Sequence, residues 1–260
     1  MTRDLTTYRL PRPPVASVSL RIRFKSVPNL QNWMLAPFVS DMREEAVAVE
    51  ELPPLGALTG LLTLSDSPEE GSEEMPSWPV PRTRFLSGDR TVAVQGDELE
   101  VTWAFDPVNA ERYPGFDELS RELADLYNKL VLSVGTHEVT IEPSLVECFY
   151  VNRIPEVTVS TLAVGVLTGW SSDATVPDPT DDYVGVRLRA CADPKKHDCS
   201  SLVMVESFGG VDTPVLAFQV SRGVETGTDA VAALAEAHDE LIALFKRHTS
   251  EDLRRGWGEE

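Results

Sequence analysis

The sequence is poor in the features that mark secreted and membrane proteins. It holds only three cysteines in 260 residues, an odd number that argues against a disulfide framework. No apolar run approaches the roughly 18 residues that a transmembrane helix needs. The N-terminal stretch MTRDLTTYRLPRPPVASV carries prolines where the apolar segment of a signal peptide would lie. These absences predict a cytoplasmic protein in a reducing compartment.

Basic residues are also scarce. Lys and Arg number 23 against 42 Asp and Glu, which gives a formal net charge of −19. Such a surface repels the phosphates of nucleic acids, so we expect no direct binding of nucleic acid. The charge either serves solubility alone or speeds encounter with a basic protein partner. Both interpretations stay open, as does the oligomeric state.

The motifs of the common cofactor and hydrolase sites are missing. GxxxxGK[ST], GxGxxG, GxSxG and HExxH do not occur in the sequence, and no serine follows the strand–turn–helix pattern of a hydrolase nucleophile. We therefore expect no cofactor and no catalytic residues. A non-enzymatic role is favoured over an enzymatic one.

Alternating apolar and polar residues predict strands in the first half of the chain. In SVSLRIRF, one face holds only apolar residues and the other holds serine and arginine, as in a half-buried strand. The segment RFLSGDRTVAVQGDELEVTWAF predicts three antiparallel strands joined at the Gly-Asp pairs 88–89 and 96–97. An amphipathic helix follows in YPGFDELSRELADLYNKLVLSVG, where leucines recur at spacings of three and four.

The second half of the chain follows the same order. It begins with the strand-like run SLVECFYVNRIP, and the apolar, β-branched residues 157–170 predict another strand. Three more strands are predicted in YVGVRLRAC, SLVMVESF and VLAFQVSRG, before helices at 228–247 and 250–257. Strands clustered between helices predict an α+β fold of twisted antiparallel sheets packed by long helices.

This order predicts two similar strand-rich halves, residues 15–135 and 136–260, each closed by a helix. Residues 1–14 are polar and rich in proline and predict an extended N-terminal arm. Residues 50–82 predict an acidic surface loop because they combine acids with proline, glycine and serine.

A helix is also predicted between the first strand and the acidic loop, at residues 29–45. Asn29 is its expected N-cap. Pro37 is expected to kink or interrupt it.

The C-terminal helix carries a histidine on its apolar stripe. His238 lies four residues after Leu234 and seven before Phe245, so its ring is predicted to face the core. We favour a structural role, with a neutral imidazole bonded inside the core, over a catalytic or metal-binding one. After this helix, Thr249 and Asp252 predict a capping box that starts the last helix.

One short segment has the residue types of a metal site. Cys191, His197 and Cys199 lie within nine residues, but the sequence supplies no clear fourth ligand for zinc. A hairpin-tip loop with incidental cysteines is favoured. A labile metal or redox site, or a reversible disulfide between residues 191 and 199, stays open. The acids between 173 and 182 lack the spacing of a calcium loop and predict a solvated loop.

The main candidates for a ligand or partner site lie around one strand end. Asn152 and Arg153 come immediately before Ile154-Pro155, where the guanidinium could clamp a carboxylate. In the structural alternative, both side chains bond to loop backbone or to a buried acid. The aromatic candidates are Trp103, Tyr150 and Trp170, which are expected in the core or in the lining of a pocket.

Several segments together resemble a known family. PPVASVSLRIRF, RTVAVQGDELEVTW, YPGFDELSRE, CFYVNRIP and AHDELIALFKRHTSEDLRRGWG occur in this order between residues 13 and 258. In this respect the chain resembles a sporadically distributed bacterial family of unknown function. The resemblance implies no activity and no catalytic residues, but the patchy distribution of the family resembles that of mobile or defence-associated genes.

Charge, missing motifs and this resemblance together suggest a non-enzymatic protein-interaction protein. An antitoxin, immunity or defence-accessory factor with an acidic surface fits best. The alternative is a protein that binds a small apolar or anionic ligand, or an enzyme of unrecognised type. A filled core would favour the first, and a deep pocket lined by the Trp and Tyr candidates, with Arg153 at its mouth, would favour the second.

Overall fold

The computed structural model describes residues 8–25, 30–53, 82–106, 112–173, 185–191, 199–208 and 211–259. In this part of the chain, the strands form a single antiparallel sheet. Its nine strands are β1 Val15–Phe24, β2 Ala48–Leu52, β3 Arg82–Ser87, β4 Arg90–Gln95, β5 Glu98–Ala104, β6 Pro143–Arg153, β7 Gly185–Cys191, β8 Cys199–Phe208 and β9 Val211–Gly223. The α-helices are α1 Ala36–Glu45, α2 Phe116–Gly135, α3 Val159–Thr168, α4 Ala230–His248 and α5 Glu251–Gly256. The predicted α+β fold is confirmed.

The two halves of the chain meet at the centre of this sheet. The strand order is β2-β3-β4-β5-β1-β6-β9-β8-β7, so the leading strands of the two halves, β1 and β6, are neighbours. They pair antiparallel with Leu20 opposite Cys148. Each half then adds its remaining strands outward from this central pair.

One face of the sheet is apolar and carries the helices. Leu20 and Ile22 of β1 are fully buried there. The Cys148 thiol lies 3.7 Å from the Leu234 carbonyl of α4, while the ring of Tyr127 in α2 stacks on Phe24 at 5.9 Å. The long helices α2 and α4 therefore cover the two halves of one face, as the amphipathic patterns predict.

The opposite face holds an unexpected group of buried charges, here called the polar-face ion cluster. Arg21 is its centre, because the register places it between Glu100 of β5 and Glu147 of β6. The Arg21 guanidinium lies 3.0 Å from Glu147 and 3.3 Å from Glu100. The cluster consists of three arginines and three glutamates: Arg21, Arg23, Arg82, Glu98, Glu100 and Glu147.

Two neighbouring glutamates in this cluster titrate in opposite directions. Burial acts to raise the pKa of Glu100, but Arg21 and the Ser19 hydroxyl outweigh it, and the pKa is lowered. For Glu98 burial dominates over the attraction of Arg21, so its pKa is raised. The cluster is thus sensitive to the number of positive charges that it contains.

The strand predicted for residues 157–170 is wrong, because most of this segment forms the helix α3, Val159–Thr168. Thr158 caps the start of α3, with its hydroxyl accepting a hydrogen bond from the Thr161 amide at 3.2 Å. Gly169 ends the helix in the left-handed conformation, with φ of 65°. The β-branched residues favoured a strand, but these two caps and the packing of the helix on β8 and β9 decide the conformation.

The indole ring of Trp170 packs directly over Gly165, and this contact gives a prediction. A Cβ added at position 165 would lie 2.7 Å from atoms of the Trp170 ring. We therefore expect Gly165→Ala to lower the free energy of unfolding by about 1–3 kcal/mol, although alanine is the better helix former by about 1 kcal/mol. Urea denaturation measures the effect.

Trp170→Ala provides the matched background for this test. With the ring removed, Gly165→Ala should become neutral or stabilising. An equal loss of stability in both backgrounds would show that the contact does not govern the choice of glycine.

The helix predicted over 29–45 is interrupted near Pro37, as expected: residues 32–35 form a 3₁₀ helix, and Pro37 lies in the first turn of α1. The expected N-cap, Asn29, lies outside the described residues. Two smaller details differ from the sequence-based expectations. The predicted loop 50–82 begins inside β2, and its residues 54–81 lie outside the described chain. The last helix is capped by Ser250, whose hydroxyl accepts from the Leu253 amide at 3.2 Å.

The capping box predicted from Thr249 and Asp252 is therefore wrong by one residue. Thr249 is buried and its hydroxyl donates to the Phe245 carbonyl at 2.6 Å. Asp252 is exposed and pairs with Arg255 at 3.1 Å. Thr249 and Ser250 are adjacent, and both residue types are good N-caps. Because Thr249 is buried in the core, Ser250 provides the N-cap of α5.

Candidate functional site

A cavity of about 560 Å³ opens between the N-terminal arm, the sheet and α4. Residues 8–16 form one side of it and residues 112–116, which lead into α2, form another. The floor comes from β5 and β6, and α4 closes the remaining side. The cavity therefore lies where elements from both halves of the chain and the N-terminal arm meet.

The inner wall of the cavity is built from buried, mostly apolar side chains. Trp103 of β5 and Tyr150 of β6 are 1% and 5% exposed. The Trp103 indole nitrogen donates a hydrogen bond to Asp89, which fixes the orientation of the ring. Leu241 and Phe245 of α4 complete this wall.

Two tyrosines form a hydrogen-bonded pair in the wall. The hydroxyl groups of Tyr113 and Tyr150 lie 2.8 Å apart, and burial raises the pKa of both. Each neutral phenol has one proton to donate, and a single bond between them uses only one of the two. The second proton meets no other acceptor among the described residues, so this pair can donate a hydrogen bond to a ligand or to water.

His238 also contributes to the cavity lining, while lying on the buried stripe that the sequence predicts. Its ring stacks on Phe116 at 3.9 Å with an interplanar angle of 8° and is 8% exposed. Burial lowers the pKa of His238 to about 4, although Asp117 acts in the opposite direction. The imidazole is therefore neutral at pH 7, and within the described chain no residue forms a hydrogen bond with it.

The outer part of the lining is basic. Arg9 pairs with Asp117 at 2.9 Å, and Arg12 donates to the Gly256 carbonyl at 2.8 Å. Arg112 and Arg153 are exposed, and their guanidinium groups make no ion pair or hydrogen bond with any described residue. None of the described residues that line the cavity is an Asp or a Glu.

The N-terminal arm is held in place by the C-terminal end of the chain. The Arg12 amide donates to the Trp257 carbonyl at 3.1 Å, and the Tyr8 hydroxyl donates to Glu259 at 2.9 Å. Pro11 packs on Gly258, whose φ is 95° and where an added Cβ would lie 2.9 Å from the proline ring. The arm is thus a fixed wall of the cavity.

Comparison with known proteins does not identify a family for this chain. No protein-family model matches the sequence, and no curated protein matches it either. The resemblance described from the sequence motifs stays a prediction.

Most of the predicted ligand or partner residues come together in this cavity. Trp103, Tyr150, Asn152 and Arg153 all line it. The side-chain amide of Asn152 donates to the Leu216 carbonyl of β9 at 3.0 Å, so it bonds to strand backbone and not to a loop. The Arg153 side chain bonds to no described residue. Trp170 lies elsewhere, with its indole nitrogen donating to the His248 carbonyl at 3.0 Å.

The cysteine-rich candidate falls largely outside the described residues. Residues 192–198, which include His197, are not described, and neither are the side chains of Cys191 and Cys199. The acidic segment is described only as far as Asp173. Within the described ranges, no group of three or more His, Cys, Asp and Glu side chains is placed to hold a metal ion.

The described residues were also compared with the requirements for a membrane-spanning helix. None of the helices in the described part of the chain has both the length and the apolar character needed to cross a bilayer.

Several lining residues were not identified from the sequence. They belong to the N-terminal arm, to the end of β5, to the segment that leads into α2 and to α4. The main ones are Tyr8, Arg12, Phe105, Arg112, Phe116 and Leu241. A usable signal was present in the arm, where YRLPRPP interleaves arginine with apolar residues. That pattern fits an extended segment with one face on the protein and the other in solvent.

Proposed function

We propose that this protein binds a small organic ligand in the cavity beneath its N-terminal arm. The observation that supports this most directly is the buried aromatic wall of Trp103, Tyr150 and Phe245 facing open space of about 560 Å³. Ligand-binding cavities commonly measure about 300–1,000 Å³ and are lined mainly by apolar and aromatic side chains with a few polar groups. This cavity has both properties.

The polar groups in the wall fit a binding role. The Tyr113–Tyr150 pair has a proton to donate, and the neutral imidazole of His238 can donate from one nitrogen and accept at the other. A ligand that meets these groups gains hydrogen bonds that the protein itself leaves unmade. The groups are also held rigidly, because Tyr150 lies on a central strand and His238 is stacked on Phe116.

A neutral fluorescent probe tests this proposal. N-phenyl-1-naphthylamine becomes strongly fluorescent in apolar surroundings, and we expect it to bind at one site per chain. Ile242 of α4 lines the cavity and is partly exposed, so Ile242→Trp should fill the site and abolish binding. Ala243→Trp is the matched control, because Ala243 is exposed on the same helix and outside the lining.

Two results would contradict the proposal. One is a folded wild-type protein that does not bind the probe. The other is an Ile242→Trp variant that binds the probe as well as the Ala243→Trp control does.

The net charge of −19 favours a second candidate function, which is contact with a basic protein partner in the cytoplasm. An antitoxin, immunity or defence-accessory factor would work in this way. Binding of such a partner, captured from the native host, should weaken as ionic strength rises, because salt screens attraction between exposed charges. An affinity that is indifferent to salt would contradict electrostatic recognition.

A further inference from the structure

We infer that the ligand of this cavity is an amphipathic organic anion, with an apolar, ring-containing body inside and its acidic group at the mouth between Arg112 and Arg153. This inference rests on the proposed function and adds the chemical class of the ligand. It is carried by the distribution of charge around the cavity.

The charge at the cavity is opposite to that of the chain as a whole. Acidic residues outnumber basic ones by 42 to 23, yet the described lining contains four arginines and neither Asp nor Glu. Asp117 compensates Arg9 from outside the lining at 2.9 Å. Arg12 is tied to a backbone carbonyl.

This leaves Arg112 and Arg153 as positive groups at the mouth without a described anionic partner. In a strongly acidic protein, two such arginines beside one cavity favour an anion supplied by the ligand. Guanidinium groups bind carboxylate and phosphate oxygens in a paired, directional way that lysine does not match.

The inner wall indicates which end of the ligand carries the charge. Burial raises the pKa of Tyr113 and Tyr150 and lowers that of His238 to about 4, so these groups are uncharged at pH 7. A buried charge without a countercharge costs several kcal/mol. The acidic group is therefore excluded from the inner wall and placed among the exposed arginines, while the apolar body contacts the aromatic side chains.

Two related probes separate this inference from the proposed function. The first is N-phenyl-1-naphthylamine, which is neutral. The second is 8-anilinonaphthalene-1-sulfonate, which has the same ring system and one added sulfonate. We expect the sulfonate to bind with the higher affinity, although the chain's net negative charge opposes any anion.

Charge-removal variants locate the source of that preference. In the double variant Arg112→Gln with Arg153→Gln, affinity for the sulfonate should fall by about tenfold or more, since the charge-assisted hydrogen bonds to the anion are lost. Affinity for the neutral probe should change less than about twofold, because the cavity itself is retained. Arg121→Gln is the matched control, since Arg121 is exposed on α2 and does not line this cavity.

The outcomes of this experiment are distinguishable. Binding of the neutral probe with no preference for the sulfonate, or with a preference that survives the double variant, would overturn the anion assignment and leave the ligand site intact. Loss of sulfonate affinity in Arg121→Gln would place the anion elsewhere and would also overturn it. Failure of both probes to bind would overturn the anion assignment and the proposed function together.

Discussion

Replacing Arg21 with methionine is expected to lower the free energy of unfolding by about 3–5 kcal/mol, the usual effect of removing one partner from a buried ion pair. Methionine keeps much of the side-chain volume, so the loss reflects charge more than packing. In wild type, Arg21 contacts Glu98, Glu100 and Glu147. All three carboxylates are nearly buried, with side chains 2%, 7% and 6% exposed.

The pH dependence of Arg21→Met distinguishes lost charge from lost packing. Without Arg21, burial is less opposed, so the pKa of Glu98 should rise further and that of Glu100 should rise from its lowered value. A raised carboxyl pKa means that the folded variant takes up protons more readily than the unfolded chain, so the penalty should shrink as pH falls from 7 towards 4. A packing defect would give the same penalty at both pH values.

Arg84→Met is the matched control for this prediction. Arg84 lies on β3 and pairs with Glu50 at 3.1 Å, but the two side chains are 34% and 46% exposed. Exposed pairs contribute about 0–1 kcal/mol. Denaturant titrations that show equal losses for Arg21→Met and Arg84→Met would contradict the description of the polar-face ion cluster as buried.

His238 is expected to make the protein lose about 3 kcal/mol of stability between pH 6.5 and pH 4. The pKa of His238 is lowered from 6.5 to about 4, mainly by burial, with Asp117 opposing the shift. In this range the unfolded chain binds a proton at His238 and the folded protein does not. Stability from this residue is therefore complete above pH 6.5 and is lost as pH falls towards 4.

His238→Gln isolates this contribution from the titration of other groups. Unfolding free energies of wild type and variant, measured at several pH values, should converge as pH falls from 6.5 to 4. Parallel curves would show that the imidazole titrates normally and is not buried as described. Titration of the His238 ring by NMR gives the same information in the folded protein directly.

Much of the fold follows from local sequence patterns. The alternation in β1 and the leucine spacing in α2 each specify an element and the face that it buries. The polar-face ion cluster could not be predicted in this way. Arg21 meets Glu100 and Glu147 only because β5 and β6 flank β1, and strand order is a long-range property. The serine and arginine residues of β1 therefore resembled a solvated face.

The error at α3 has a different origin. Valine and threonine are stiff at χ1 and favour strands, and they dominate residues 157–170. The caps at Thr158 and Gly169 were visible in the sequence. These two caps indicate a helix. The apolar run between them does not, because a short apolar run fits a buried strand and a buried helix equally well.

Several residues of the candidate site are predictable from the sequence, but the sequence leaves open whether they line a cavity or fill the core. Asn152 and Arg153 stand out because they end a strand before Ile154-Pro155. Trp103 and Tyr150 stand out as aromatic residues expected in the core or in the lining of a pocket. That they share one space depends on the N-terminal arm, which is held by residues near the C-terminus. No local pattern encodes a contact between residues 8–12 and 256–259.

The most direct test of ligand binding in this cavity observes the tryptophan indole protons by NMR during titration with N-phenyl-1-naphthylamine. The resonance of Trp103 should shift, because its ring lies in the cavity wall, and that of Trp170 should stay in place, because its indole nitrogen donates to the His248 carbonyl outside the lining. A Trp103 resonance that does not respond to a saturating concentration of the probe would contradict the assignment of this cavity as the ligand site.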